Sequence, residues 1–227
     1  MAADLKLVIF DCDGTLVDSQ HMIHSAMRMA FEGQGMLAPD IAAVRRVVGL
    51  SLFDAVERIL PEGSEAALIN QLVDGYKGAF QGLRVAGQDR HEPLYDGIAD
   101  LVNELSSSGY LLGVATGKSL RGLHKTLEMH GLRDKFITLQ TADYHPSKPH
   151  PSMVYKAMDD AGVGKAQAVM IGDTTFDMEM AKNANVTSIG VNWGYHDDHE
   201  LLAYGAHGVA TSTANLRQLI VDTIGDI

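Results

Sequence analysis

Leu7-Val8-Ile9-Phe10-Asp11-Cys12-Asp13-Gly14-Thr15 is the stretch on which the reading of this chain turns. Four apolar residues in a row predict a strand covered on both faces, as in a parallel sheet between helices. The strand runs into two carboxylates one residue apart, and Gly14-Thr15 supplies turn chemistry. Asp11 is thereby expected at the carboxyl edge of a sheet, where open parallel sheets hold their ligand crevices. Asp13 reaches the same crevice. Like charges that close push one pKa up and let the other stay ionised. One acid can then serve as nucleophile or metal ligand while its neighbour carries a proton. The competing reading is a water-facing Asp-Gly turn. A calcium loop is excluded, because its third ligand position falls on Thr15 and its glycine position on Leu16.

Downstream the pattern turns helical. Met22, Ile23, Ala26, Met27, Ala30 and Phe31 repeat at helix spacing behind Ser19, read as an N-cap. Pro39-Asp40 opens a second helix through Val48, Ser51 caps a third through Leu60, and Ser64 starts a fourth toward Phe80. Residues 16–91 thus hold no expected strand, and Gly82 to Glu92, polar and breaker-rich, reads as a return linker. From Pro93 helices and strands alternate, with helices at 96–107, 119–130, 151–161 and 176–184 and strands at 110–116, 135–140, 168–171 and 186–191. A short strand at 208–210 and a last helix finish the chain. That alternation predicts an α/β fold, a doubly wound parallel Rossmann-like sheet with right-handed crossovers. The first strand belongs to the same sheet, so the helical block is an insertion. The expected division is a catalytic core of 1–15 with 92–227 and a second, helical lobe of 16–91.

Composition narrows the partners. A chain of 227 residues, 46% of them apolar, can bury one large core and an insertion. Eighteen basic against 29 acidic residues give a net charge of −11. That argues against nucleic acid or an anionic membrane as a partner, since both need positive surface. An acidic protein that handles phosphate must supply positive charge locally, from a metal ion and a few placed lysines. The single cysteine, Cys12, excludes an intramolecular disulfide and a multi-cysteine metal site, and reads as a small buried residue. The opening Met1-Ala2-Ala3-Asp4-Leu5-Lys6 carries an acid where a secretory signal has bases. With no apolar run of membrane-spanning length, a cytoplasmic location is expected. The sequence carries no sign of oligomeric state.

Three later segments match the first in chemistry. Thr116 ends an apolar strand before Gly117-Lys118, so its hydroxyl and the neighbouring amides can hold an oxyanion. Asp173 follows Val169 to Gly172, and Asp177 lies four residues on, placing both acids on one side of the turn that opens a helix. Between Thr116 and Asp173, Lys148 stands in a loop with Pro146, Pro149 and Pro151, which stiffen it and fix where the ammonium points. Phosphoryl transfer from a monoester needs an in-line nucleophile, a hard cation and donors around the remaining charge. Asp11 would attack to give an aspartyl-phosphate. Asp13 would protonate the leaving oxygen and then deprotonate water. Asp11, Asp173 and a backbone carbonyl suit Mg²⁺, while Thr116 and Lys148 would bind the phosphoryl oxygens.

DxDGT at 11–15, Thr116, Lys148 and GDxxxD at 172–177 resemble, in order, the four motifs of the haloacid dehalogenase superfamily, and the resemblance spans essentially the whole chain. The helical block is similar to the cap of its phosphoglycolate-phosphatase-like and β-phosphoglucomutase-like branch. The resemblance implies Asp11 as nucleophile, Asp13 as acid/base, and Asp173 with Asp177 as the Mg²⁺-binding motif, joined by the backbone carbonyl of Asp13. It also implies a small phosphorylated metabolite as substrate, phosphoglycolate first, bound through Thr116, Gly117 and Lys148. The dehalogenases lack an acid where Asp13 stands, so carbon–halogen cleavage is not expected.

Other readings compete on particular residues. In Gly113 to Ser119 three residues precede Gly117 where a P-loop needs four. A phospho-aspartate receiver module shares an acidic pair, a Thr and a Lys, but not a lobe inserted after the first strand. A phosphomutase would need cap residues that rebind a bisphosphate; Arg45 and Arg46 before Gly49-Leu50-Ser51 are the candidates, against a solvated helix face. His196 and His199 beside Asp197 and Asp198 read as an exposed helix start and not a metal site. His145 and His150 flank Lys148 and receive no role.

Overall fold

The computed structural model describes residues 5–87 and 92–227, so part of the opening hexapeptide and of the expected linker at 82–92 lies outside the described residues. Leu7–Phe10 forms strand β1, buried throughout. The helical block follows as α1 (Gln20–Gly33), α2 (Ile41–Arg45), α3 (Leu52–Ile59) and α4 (Ala66–Val85). The chain then alternates: α5 (Ile98–Ser107), β2 (Leu111–Thr116), α6 (Leu120–Met129), β3 (Thr138–Thr141), α7 (Ser152–Ala161), β4 (Ala168–Gly172), α8 (Thr175–Ala184), β5 (Thr187–Val191), α9 (Asp198–Ala203), β6 (Gly208–Ala210) and α10 (Thr213–Ile224). The six strands form one sheet in the order β3-β2-β1-β4-β5-β6, and every pairing is parallel.

Strand alternation divides the core cleanly. Val8 and Phe10 pack with Leu101, Leu123 and Leu216 of α5, α6 and α10 on one face. Leu7 and Ile9 pack with Val154 of α7 and Met180 of α8 on the other. The chain moves outward from β1 through β2 to β3, then crosses back to β4 on the far side of β1. That reversal puts the fold's crevice between the carboxyl ends of β1 and β4.

The helical block has a cluster of its own, built from Met27, Phe31, Val56, Ile69 and Leu72 among others. Its two connections run side by side: Asp18 N–H donates to Pro93 O at 2.8 Å and Tyr95 N–H to Leu16 O at 3.1 Å. Leu16 and Val17 pack in the cluster under the sheet. We therefore propose the two-part division expected from sequence with its first boundary at Asp18 instead of Leu16.

Several expected boundaries move. The second helix stops at Arg45 and not Val48, because Val47 turns into a cluster with Leu50, Ala55 and Phe176 while Val44 and Val48 pack inside the helical block. The fourth begins at Ala66 and runs past Phe80 and Gly82 to Val85, with Ser64 held in the preceding turn by a 2.7 Å bond to Pro61 O. The strand expected at 135–140 begins only at Thr138, after a 3₁₀ turn over Arg133–Lys135. Ser19 makes no cap bond to α1; its hydroxyl serves Asp13 instead.

Candidate active site

Asp11 leaves β1 anchored to its neighbour strand, its N–H donating to Ile171 O at 2.8 Å. Its side chain is wholly buried. The Lys148 ammonium, also buried, lies 2.9 Å from Asp11 Oδ1 and 2.6 Å from Asp177 Oδ1. Asp177 Oδ2 accepts from the Thr174 hydroxyl at 2.7 Å and the Thr174 N–H at 3.1 Å, at the start of α8. Asp173 Oδ1 accepts from Thr15 Oγ1 at 2.8 Å and its Oδ2 from Tyr195 N–H at 3.0 Å. Asp11 Oδ2 has no hydrogen-bond partner among the described residues. Gly14 makes this closeness possible: its φ is +93°, and a Cβ there would sit 2.2 Å from Asp173 Oδ2.

Asp11, Asp173 and Asp177 each present an oxygen within 4.8 Å of the others, and one ammonium stands against three carboxylates. Burial pushes Asp11 up to about 7 despite the attraction of Lys148, and the Asp177 charge adds to the rise. Burial, then the charges of Asp11 and Asp177, drive Asp173 well above the usual carboxylate range. Burial opposes the Lys148 ammonium, but its two carboxylate partners outweigh it and its pKa is raised. The repulsion expected between Asp11 and Asp13 is a lesser effect: desolvation leads, and Asp177 repels Asp11 more strongly than Asp13 does.

Asp13 belongs to a second, adjoining network. Its Oδ1 accepts from the Ser19 hydroxyl and from Lys118 Nζ at 2.6 Å. Lys118 also lies 3.4 Å from Glu92 Oε1, and Glu92 Oε2 pairs with Arg84 at 2.9 Å. Burial works against the Lys118 charge, yet Asp13 and Glu92 raise its pKa. Thr116 closes β2 with its Oγ1 accepting from Lys118 N–H at 3.3 Å. At Gly117 a Cβ would fall 2.2 Å from Leu50 O, so the helical block presses its 49–51 turn onto the sheet edge there. Ser51 N–H donates to Ser147 Oγ at 2.8 Å in the same contact.

The geometry thus gathers Asp11, Lys148, Asp173 and Asp177 into one cluster and sets Asp13, Thr116 and Gly117 along its rim. Sequence reasoning missed Lys118, Ser19, Thr15 and Glu92. One signal was present: Lys118 stands two residues past the end of β2 and Asp13 three past the end of β1, and the two strands are neighbours. Ser19 was masked by looking like a cap. Arg45 and Arg46 are not merely solvated. Arg45 donates to Gly194 O at 3.0 Å and Arg46 pairs with Glu200 at 2.8 Å, so both tie the helical block to the core. His196 is buried, not exposed; its Nδ1 accepts from Thr175 N–H at 3.2 Å, while His199 is exposed. His145 is spent on Ser152 and Gln140. The P-loop-like run begins inside strand β2, so it is not a P-loop.

Comparison with known proteins shows the family. The family model described as haloacid dehalogenase-like hydrolase matches residues 8–191. A protein named "Probable phosphatase IndB" from Dickeya dadantii is 36% identical over 223 residues, covering 97% of this chain and 91% of its own. A phosphoglycolate phosphatase from Vibrio parahaemolyticus is 27% identical, covering 96% of each chain. The crystal structure of a predicted phosphatase from Clostridium acetobutylicum superposes with a TM-score of 0.86 at 26% identity, over 96% of this chain and 99% of that one. The chain belongs to the haloacid dehalogenase-like hydrolases, in their phosphoglycolate-phosphatase-like branch, and is a phosphatase of that family. No helix among the described residues is long and apolar enough to cross a membrane.

Proposed function

We propose that this protein is a Mg²⁺-dependent phosphatase that hydrolyses small phosphomonoesters through an aspartyl-phosphate on Asp11. The observation that carries the reading is the buried Asp11 carboxylate at the switch point, one oxygen beside the Lys148 ammonium and the other without a partner among the described residues. A buried group in that condition is costly unless something completes its coordination. A cluster of three carboxylates and one ammonium, all oxygen donors on the acid side, fits a hard divalent cation. Asp11, Asp173 and the Asp13 carbonyl would hold Mg²⁺ with Asp177 nearby, and the ion would supply Lewis-acid stabilisation of the phosphoryl oxygens.

The protein's own groups account for the rest. An Asp11 oxygen attacks phosphorus as the bond to the leaving alcohol breaks, and Asp13 gives that alcohol its proton. Asp13 then takes a proton from a water, whose oxygen attacks phosphorus and returns Asp11 with release of phosphate. Lys118, beside Asp13, steadies the negative charge it bears between the two steps. Thr116, the Gly117 amide and Lys148 bind the phosphoryl oxygens, and Asp177 keeps Lys148 aimed. Phosphoglycolate is the first substrate to test, and a cytoplasmic setting belongs to the same reading. The experiment is phosphate release with Mg²⁺, with and without a strong chelator, together with acid-quench trapping of phosphoprotein. Release that stops on chelation and label that maps to Asp11 are expected; turnover untouched by chelator, or label elsewhere, overturns the proposal.

A further inference from the structure

Beside the carboxylate cluster lies a cavity of about 590 Å³, walled by α1, the 44–55 segment, α4 and the turn leading into α6, and reaching Asp13 and Thr116. That volume is in the range of pockets that enclose drug-sized ligands, about 300–1,000 Å³. It greatly exceeds the needs of a two-carbon carboxylate ester. Its wall is apolar, with Ile23, Met27, Val48, Val73 and Phe80 facing it. Such a wall rewards an apolar substrate body and does nothing for a chain of hydroxyls.

The charge at the cavity is inverted relative to the molecule. Five cations line it, Lys77, Arg84, Lys118, Arg121 and Lys125, against two acids, Asp13 and Asp143, although acids outnumber cations 29 to 18 in the chain. Arg84 and Lys118 are neutralised by Glu92 and Asp13. Asp143 accepts from the Leu120 N–H at 2.8 Å, at the start of α6, and leaves one negative charge against the remaining three cations. Lys77, Arg121 and Lys125 are exposed and have no ion-pair partner among the described residues. Arg121 and Lys125 lie one turn apart on α6, and Arg84 of α4 donates to Thr126 of α6 at 3.1 Å, fixing the two helices across the mouth.

Resting on the phosphatase reading, we propose that the substrate class of this site is a phosphomonoester with an apolar body of ring size and a second anionic group. The phosphate meets the carboxylate cluster, the body lies along the cavity wall, and the second anion meets Lys77, Arg121 and Lys125 at the mouth. The class shares a second anion with phosphoglycolate and differs from it in the body.

Three alkyl esters with comparable leaving groups test this: phosphoglycolate, benzyl phosphate and 4-carboxybenzyl phosphate, assayed with Mg²⁺ for phosphate release. The 4-carboxybenzyl ester is expected to show kcat/KM at least tenfold above each of the others. Combining Lys77→Ala with Arg121→Ala should lower kcat/KM for 4-carboxybenzyl phosphate, through KM, at least fivefold more than for benzyl phosphate. Equal or better use of phosphoglycolate overturns the apolar body, and equal loss on both benzyl esters overturns the second anion, while the phosphatase reading survives either result. Failure to hydrolyse any of the three or acetyl phosphate would instead remove that underlying reading, and this inference with it.

Discussion

The carboxylate cluster between β1 and β4 and the cavity under α1 and α4 meet at Asp13, yet they are built from opposite materials. The cluster is buried charge, with Lys148, Asp173 and Asp177 each held by named partners at 2.6–3.1 Å. Its residues come from the ends of parallel strands or the loops beside them, which the sheet cannot let drift. The cavity is an apolar wall with cations at its mouth, drawn mostly from helices that pack on the sheet through a short turn and a few polar contacts. On the proposed reading the division separates labour: the sheet holds the reacting groups, and the helical block selects what enters. Burial also costs the cluster stability where it serves reaction, a trade the cavity does not face.

Breaking the cluster should have the largest effect. Asp11→Asn is expected to lower kcat by at least ~10⁴-fold, about 5.5 kcal/mol of transition-state stabilisation, with an unchanged circular dichroism spectrum. The same variant sharpens the comparison through stability. Asp11 has a folded pKa raised from 3.8 to about 7, so between those values the folded state holds a proton that the unfolded chain releases. Stability is therefore present below pH 4 and falls as pH rises toward 7. Asp11→Asn removes that loss: metal-free Tm should rise at pH 8, by about 2–4 °C for each ~1 kcal/mol relieved in a chain this size, and the gain should vanish near pH 4.

The junction between the regions comes next. Gly117→Val must displace the Leu50 carbonyl, which a Cβ would meet at 2.2 Å, and so holds the helical block off the sheet edge. A fall of roughly a hundredfold in kcat/KM is expected, the scale of an ångström-size misplacement. Lys118→Met should lower kcat about tenfold for alkyl phosphates and less for 4-nitrophenyl phosphate, whose leaving group needs no proton; equal losses would detach Lys118 from Asp13. Arg46→Ala removes a pair with Glu200 in which the arginine is largely exposed. It should shift Tm by the equivalent of less than ~1 kcal/mol and leave turnover within twofold.

Much of this was legible before any coordinates. The apolar run Leu7–Phe10 ending in Asp11, and the same pattern at Val169–Asp173, place both acids at a sheet edge by periodicity alone, since a strand ends where its apolar run ends. The helical block was legible as an insertion because sixty-odd residues of helical spacing interrupt strands of one sheet. The pairing of Lys118 with Asp13 and Glu92 was not, because it joins residues 105 and 26 positions apart. Ser19 gave a positively misleading signal, since a hydroxyl before a helix looks the same whether it caps the helix or serves an acid.

Sequence by itself thus determined at which strand ends the acids of the proposed site stand, because strand and helix periodicities are local and backbone-driven. Only the tertiary structure decided which charges neutralise which, where Arg45 and Arg46 point, and that a cavity opens beside the acids. Those outcomes depend on side chains meeting across the fold, and on burial that no local pattern encodes.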